Sequence, residues 1–208
     1  FLVVITARNV RPFLGALVAS LAAQTWPHWK AVFVDDASTD DTLQALDYLL
    51  DAHQLRARFE IVKNAERRHQ AHNLFHAIKN HAAADDIVAI VDGDDHLAAD
   101  QAFERLAREY SAGWDVVWSN WRGTDGKLGT CNHLNPFLSP RQQGYLSGHL
   151  FTFRRRLFDA VVEAVQTSVM ILFAVIGISV FEYFLQAARV PQGVEELDAE
   201  KLTPLLRL

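Results

Sequence analysis

The chain has 208 residues, half of them hydrophobic and 22% charged, with a formal net charge of -5. That is enough apolar material to bury a substantial core. The acidic balance removes the electrostatic case for nucleic-acid binding, which rests on clustered Lys and Arg, and the short run Arg154-Arg155-Arg156 does not restore it. A single cysteine, Cys131, permits no internal disulfide, and the first residues lack the pattern of a signal peptide, so neither an oxidising compartment nor a leader is expected.

Along the chain, short apolar runs alternate with amphipathic ones. "LVVIT" (Leu2 to Thr6) reads as a strand, and Leu14, Leu17, Val18 and Leu21 then fall at helical spacing. "AVFVD" (Ala31 to Asp35) is the second strand, and Leu43, Leu46 and Leu50 share a helix face whose start Asp40 or Asp41 is placed to cap. "FEIV" (Phe59 to Val62), a helix striped by Leu74, Phe75 and Ile78, "IVAIV" (Ile87 to Val91), a helix with Phe103, Leu106 and Tyr110, and "DVVWS" (Asp115 to Ser119) complete the series. From Arg122 the composition turns loop-rich. A helical pattern near Leu157 to Val165 follows, then the apolar segment Ser168 to Leu185 and a charged tail from Gln192. The uncharged part of that segment, ending at Phe181, is 14 residues, against about 20 for a bilayer span, so it predicts a buried or interfacial helix, with peripheral membrane contact as the alternative.

Strands apolar on both faces, each followed by a helix, imply an α/β fold with a Rossmann-like, mostly parallel sheet flanked by helices. Ligands of such sheets bind beyond the carboxyl ends of the strands. There the second strand runs into Asp35-Asp36-Ala37-Ser38-Thr39-Asp40 and the fourth into Asp92-Gly93-Asp94-Asp95. Two acidic clusters at one edge repel each other unless a cation or hydrogen-bond donors lie between them. A hard cation, Mn2+ or Mg2+, takes one or two carboxylates plus substrate phosphate oxygens. In extended geometry Asp92 and Asp94 lean to one side, and Gly93 lets a ligand approach closely. This pattern points to a metal-bound nucleotide diphosphate; a solvated acidic loop is the bland alternative.

The ordered segments "VVITARN", "LAAQTWPHWKAVFVDDASTDDT", "AHNLFHAIKN", "DDIVAIVDGDDHL" and "SGHLFTFRRRLF" resemble family 2 glycosyltransferases with the GT-A fold, over roughly Phe1 to Phe158. The resemblance implies an inverting enzyme of hexosyltransferase type that moves a sugar from a nucleotide diphosphate to an acceptor hydroxyl, in cell-surface polysaccharide or glycan synthesis. It implies Thr6, Asp36, Ser38 and Asp40 at the donor nucleoside, with Asp36 receiving the base's ring N–H. Asp92 would lie near the ribose or metal, Asp94 would be the principal metal ligand, and Asp95 the second. Residues 1–120 would bind the nucleotide sugar, 121–190 the acceptor, and 191–208 would be a tail. A UDP-sugar is the foremost donor, with GDP and dTDP as alternatives, and the acceptor is a glycan or lipid-linked. The expected location is cytoplasmic, including the inner face of the membrane.

Two departures from the family pattern stand out. Arg8 replaces the aromatic residue that often precedes Asn9 and stacks on the base, and "NAERRHQAHN" replaces a Gly-rich segment. Arg67, Arg68, His69 and His72 are therefore further donor candidates, since an Arg pairs bidentately with a diphosphate. The family base corresponds to Glu182, followed here by Tyr183 instead of a second acid, and His149 lies on a segment that faces the acceptor. A carboxylate in apolar surroundings suits a general base, and the metal stabilises the leaving group. Residues 193–208 resemble a stretch near the end of the motor subunit of type I restriction enzymes, without its motifs. Two rivals remain: a phosphohydrolase with an Asp nucleophile, disfavoured because its motif sits on the first strand, and a non-catalytic or truncated nucleotide-sugar-binding module.

Overall fold

The computed structural model describes residues 1–129 and 150–187, with side chains through residue 174. They fall in two compact units, Phe1–Asp159 and Ala160–Leu208. The first unit carries strands β1 (Leu2–Ala7), β2 (Lys30–Asp35), β3 (Phe59–Lys63), β4 (Ile87–Asp92), β5 (Val116–Trp118) and β6 (Phe151–Arg154). Helices α1 (Leu14–Ala22), α2 (Thr42–Ala52), α3 (Gln70–His81) and α4 (Ala102–Ser111) alternate with them, and α5 (Arg155–Ala187) runs on into the second unit.

The sheet order is β3-β2-β1-β4-β6-β5. β1 pairs in parallel with β2 on one side and β4 on the other, and β2 pairs in parallel with β3. The period of two along each strand sorts the core into two layers. Val3, Ile5, Phe33, Ala89 and Val91 pack with Leu14, Leu17, Leu46, Leu50, Phe103 and Leu106 of α1, α2 and α4. Leu2, Val4, Val32, Val34 and Val88 pack with Ala77 and Ile78 of α3 on the opposite face. Covering both faces explains why the strands read as unbroken apolar runs.

The five expected strands and first four helices are present, but β6 was not legible. It adds antiparallel to β4, with Ala89 opposite Thr152, and carries β5 on its outer edge. Its buried Thr152 hydroxyl donates to Val117 O at 2.6 Å and sits 2.8 Å from Tyr110 Oη, which must therefore donate to it. At the start of α2, Asp41 makes no side-chain cap; Asp40 Oδ1 accepts instead from the Thr42 amide at 3.1 Å.

The expected short helix and separate apolar segment form one 33-residue helix, α5. Of the expected buried or interfacial segment, residues 168–174 are exposed, which excludes burial there and keeps the interfacial alternative. Val165, Val169, Met170, Ile171, Leu172 and Phe173 are exposed. Among the described residues α5 is the one helix long and apolar enough to cross a membrane.

Candidate functional site

Because β1, β2, β3 and β4 are parallel, their carboxyl ends share one edge, and the register fixes what meets there. Thr6 lies between Val34 of β2 and Asp92 of β4, and Ala7 is level with Asp35. The two acidic clusters thus flank the end of β1. The β1–β2 side is pinned by polar contacts between its loops. Asn9 N donates to Ser38 Oγ at 2.9 Å, Thr39 N to Asn9 Oδ1 at 2.8 Å, and Val10 N to Thr42 Oγ1 at 3.0 Å. Thr42 Oγ1 in turn donates to Asp40 Oδ1 at 2.5 Å, which holds the Asp40 carboxyl below its ordinary value. Asn9, Ser38 and Asp40, expected at the donor, here tie the loops after β1 and β2 together. Arg8 projects into solvent from the same loop, while the Thr6 side chain is buried.

Asp36 has a more central position. Its carboxylate accepts from the Arg68 amide at 2.7 Å, the His69 amide at 2.9 Å and Asn64 Nδ2 at 2.9 Å. Only 6% of the residue is exposed, because the loop that donates these bonds overlies it. Burial by itself would raise the carboxyl, but the hydrogen bonds outweigh it and hold Asp36 well below the usual carboxylate range. The Asn73 amide is close enough to add to that effect without reaching full hydrogen-bond geometry. A carboxylate offers about four acceptor directions, and these bonds use three of them. Asp35 is fully buried, accepts from Ser38 N at 3.2 Å, and its Oδ1 has no partner.

The clamp on Asp36 constrains the chain before α3. His69 has φ 67° and ψ 158°, a conformation that is essentially glycine's own. The hydrogen bond that its backbone N–H donates to Asp36 Oδ2 holds it there. The next residue, Gln70, donates to Asp92 Oδ1 at 2.6 Å, so this short segment bridges the ends of β2 and β4. The Arg68 guanidinium is paired with Glu66 at 2.8 Å, and the exposed His72 ring lies against His76.

At the end of β4 the geometry departs from expectation. Asp95 N donates to Asp92 O at 3.0 Å, so the chain turns at Gly93-Asp94, and Asp92 and Asp94 do not sit on one extended strand. Gly93 makes room for β1 and not for a ligand. A Cβ there would stand 2.7 Å from Ala7 Cβ and 3.0 Å from Thr6 O. Asp92 and Asp95 are half-buried and Asp94 is exposed. Among the described residues no three His, Cys, Asp or Glu side chains converge to hold a metal. A Mg2+ or Mn2+ ion at this turn would need phosphate oxygens beside one or two carboxylates, the usual coordination of such ions.

His149 and Cys131 lie outside the described residues, as does the side chain of Glu182, whose backbone belongs to α5 in the second unit. Two functional candidates were missed. Asn64 directly follows β3 and could have been found by the strand-end rule that found Asp36. Gln70 had no local signal, since its role comes from contact with β4.

Several known proteins resemble this chain in sequence or fold. EpsE of Bacillus subtilis (strain 168), which carries a glycosyltransferase assignment, is 32% identical over 88 residues, 42% of this chain and 30% of EpsE. The mannosyltransferase PcManGT from Pyrobaculum calidifontis, solved with GDP-Man and Mn2+, superposes with a TM-score of 0.59 at 21% identity, covering 77% of this chain and 46% of that one. S. aureus TarS 1-349 in complex with UDP-GlcNAc gives 0.63 at 22% identity, covering 77% and 46%. The chain thus spans about half the length of the solved structures and under a third of the curated relative. These likenesses give the fold as GT-A. Residues 2–176 match the model of glycosyl transferase family 2. The chain belongs to that family.

Proposed function

We propose that the protein transfers a sugar from a nucleotide diphosphate to an acceptor hydroxyl, with inversion at the anomeric carbon. The observation that carries this reading is the pairing of the clamped Asp36 with the acidic turn at Asp92–Asp95 on either side of the β1 end, in a chain of this family. Asp36 receives the base's ring N–H, with Thr6, Arg8, Asn9, Ser38 and Asp40 around the nucleoside. Arg68 and His72 lie toward the diphosphate. Asp94, the exposed member of the turn, is the principal ligand of a Mn2+ or Mg2+ ion, and Asp95 the second. When bound, that ion offsets the negative charge that develops on the leaving diphosphate. The chain's own part is to hold the donor rigidly: the bonds on Asp36 and from Gln70 to Asp92 fix both acids before it arrives.

A UDP-sugar is the first donor to test, with PcManGT as the reason to include GDP-sugars. Calorimetry with UDP, GDP and dTDP, each with Mn2+ or Mg2+, reads both base preference and metal dependence. One nucleotide should bind in a metal-dependent way, and Asp94→Ala should remove the metal-dependent part. Metal-independent binding unaffected by Asp94→Ala would overturn the site. Nucleotide binding without transfer to any acceptor would instead favour a nucleotide-sugar-binding module.

The general base is a separate question. Glu182 lies six residues past the end of the family match. If it is the base, Glu182→Gln abolishes transfer and leaves donor binding intact; full turnover in that variant removes it. His149→Ala tests the acceptor side by its KM for acceptor. The exposed apolar surface of α5 supports association with a membrane face, and a glycan or lipid-linked acceptor fits that placement. Flotation of the full chain with anionic vesicles tests it, and recovery of all the protein in the vesicle-free fraction would exclude it.

A further inference from the structure

We propose that His72 and His76 form a chelating site for a nitrogen-seeking first-row cation, Zn2+, Ni2+ or Cu2+, separate from the oxygen-rich turn at the end of β4. The two residues are four apart on α3, so they stack on one face of the helix. Their ring centroids are 4.2 Å apart and the planes tilt by 36°. Both are exposed, while Asn73, Ala77 and Ile78 of the same helix are buried. The pair is therefore presented to solvent on a backbone that is already fixed.

A hollow of about 60 Å³ is lined by His72 and His76 together with Asn64, Asn73, Asn80 and His81, the last of which is already bonded to Glu60 at 2.9 Å. That leaves room for an ion with its waters, since about 10–15 Å³ on this measure accommodates one water. Two histidines at this spacing are the ligand pair that zinc-binding helices use. Imidazole suits Zn2+, Ni2+ and Cu2+, whereas Mg2+ prefers oxygen and Mn2+ lies lowest in the affinity order. No third His, Cys, Asp or Glu joins the pair among the described residues, so water completes the coordination. The two classes of cation then act at different places. Mn2+ or Mg2+ would serve the carboxylates, and Zn2+ would engage His72 on the helix whose first turn holds Asp36 and Asp92 through Asn73, Asn64 and Gln70.

Calorimetric titration of Zn2+ into the full chain, without nucleotide, is the test. One site should be seen, and His72→Gln or His76→Gln should each weaken it by about 100-fold, the loss expected when a second tethered ligand is removed. His81→Gln, at a residue already bonded to Glu60, and Asp94→Ala should leave Zn2+ binding unchanged. Affinity within twofold of wild type in both pair variants, or a loss that follows Asp94→Ala or His81→Gln, would overturn the proposal. Electron paramagnetic resonance of the Cu2+-loaded wild type needs no variant: nitrogen hyperfine structure supports the pair, and an all-oxygen spectrum refutes it. Because nucleotide is absent, neither readout depends on the transferase reading.

Discussion

Replacing Gly93 by Ala sets two physical effects of opposite sign against each other. The φ of Gly93 is outside the left-handed region, so on backbone grounds Ala should stabilise by about 0.4–1 kcal/mol through the unfolded chain. The added Cβ, however, would stand 2.7 Å from Ala7 Cβ and 3.1 Å from Ala7 Cα. Carbon contacts are optimal at about 3.5–4.0 Å. Neither neighbour is a flexible side-chain tip, so β4 must move away from β1. That movement costs about 1–3 kcal/mol as overpacking and strains the 3.0 Å bond from Gly93 N to Thr6 O, worth about 1 kcal/mol more. The net expectation is destabilisation by about 2 kcal/mol. With a urea slope of about 2 kcal/mol/M, the unfolding midpoint falls by about 1 M. Urea titration followed by far-ultraviolet circular dichroism measures it. An unchanged or raised midpoint would refute the reasoning, since it would mean that the β1 and β4 ends do not approach as described. The same shift would separate Thr6 from Asp92, so metal-dependent nucleotide binding should weaken in parallel.

The clamp over the site yields further expectations. His69→Gly should stabilise by about 1 kcal/mol, since relief of about 1–3 kcal/mol of backbone strain exceeds the entropy cost of glycine; a lower urea midpoint would contradict it. Asp36→Asn should lower stability at neutral pH by about 2 kcal/mol, because the bonds from Arg68, His69 and Asn64 lose their charge assistance. The folded Asp36 carboxyl lies below its ordinary value, so its contribution is complete above about pH 4 and is lost as pH falls from there toward the folded value. Acid titration of stability should therefore be steeper below that pH in the wild type than in Asp36→Asn, and equal slopes would exclude the clamp as a source of stability. Tyr110→Phe should cost about 1 kcal/mol, since the Thr152 hydroxyl keeps its bond to Val117 and loses only the donor from Tyr110; a cost near zero in the same urea assay would show that the buried bond contributes nothing.

The amino-acid sequence by itself determined the alternation of strands and helices, the parallel sheet and the edge at which the acids gather. Each rests on local information. A strand covered on both faces must be apolar throughout, a helix packed on one face must be striped, and a parallel sheet places all its strand ends on one side. The family motifs, which occur in order along the chain, added expected roles for Asp36 and Asp94. Tertiary structure decided the rest. β6 is a four-residue run that becomes a strand only because β4 offers an open antiparallel edge. Gly93 looked like space for a ligand until β1 was seen to fill it. His69 holds a glycine-like backbone only because Asp36, 33 residues earlier, accepts its amide. These are contacts between residues distant in sequence, and no local pattern of hydropathy or spacing encodes which two will meet.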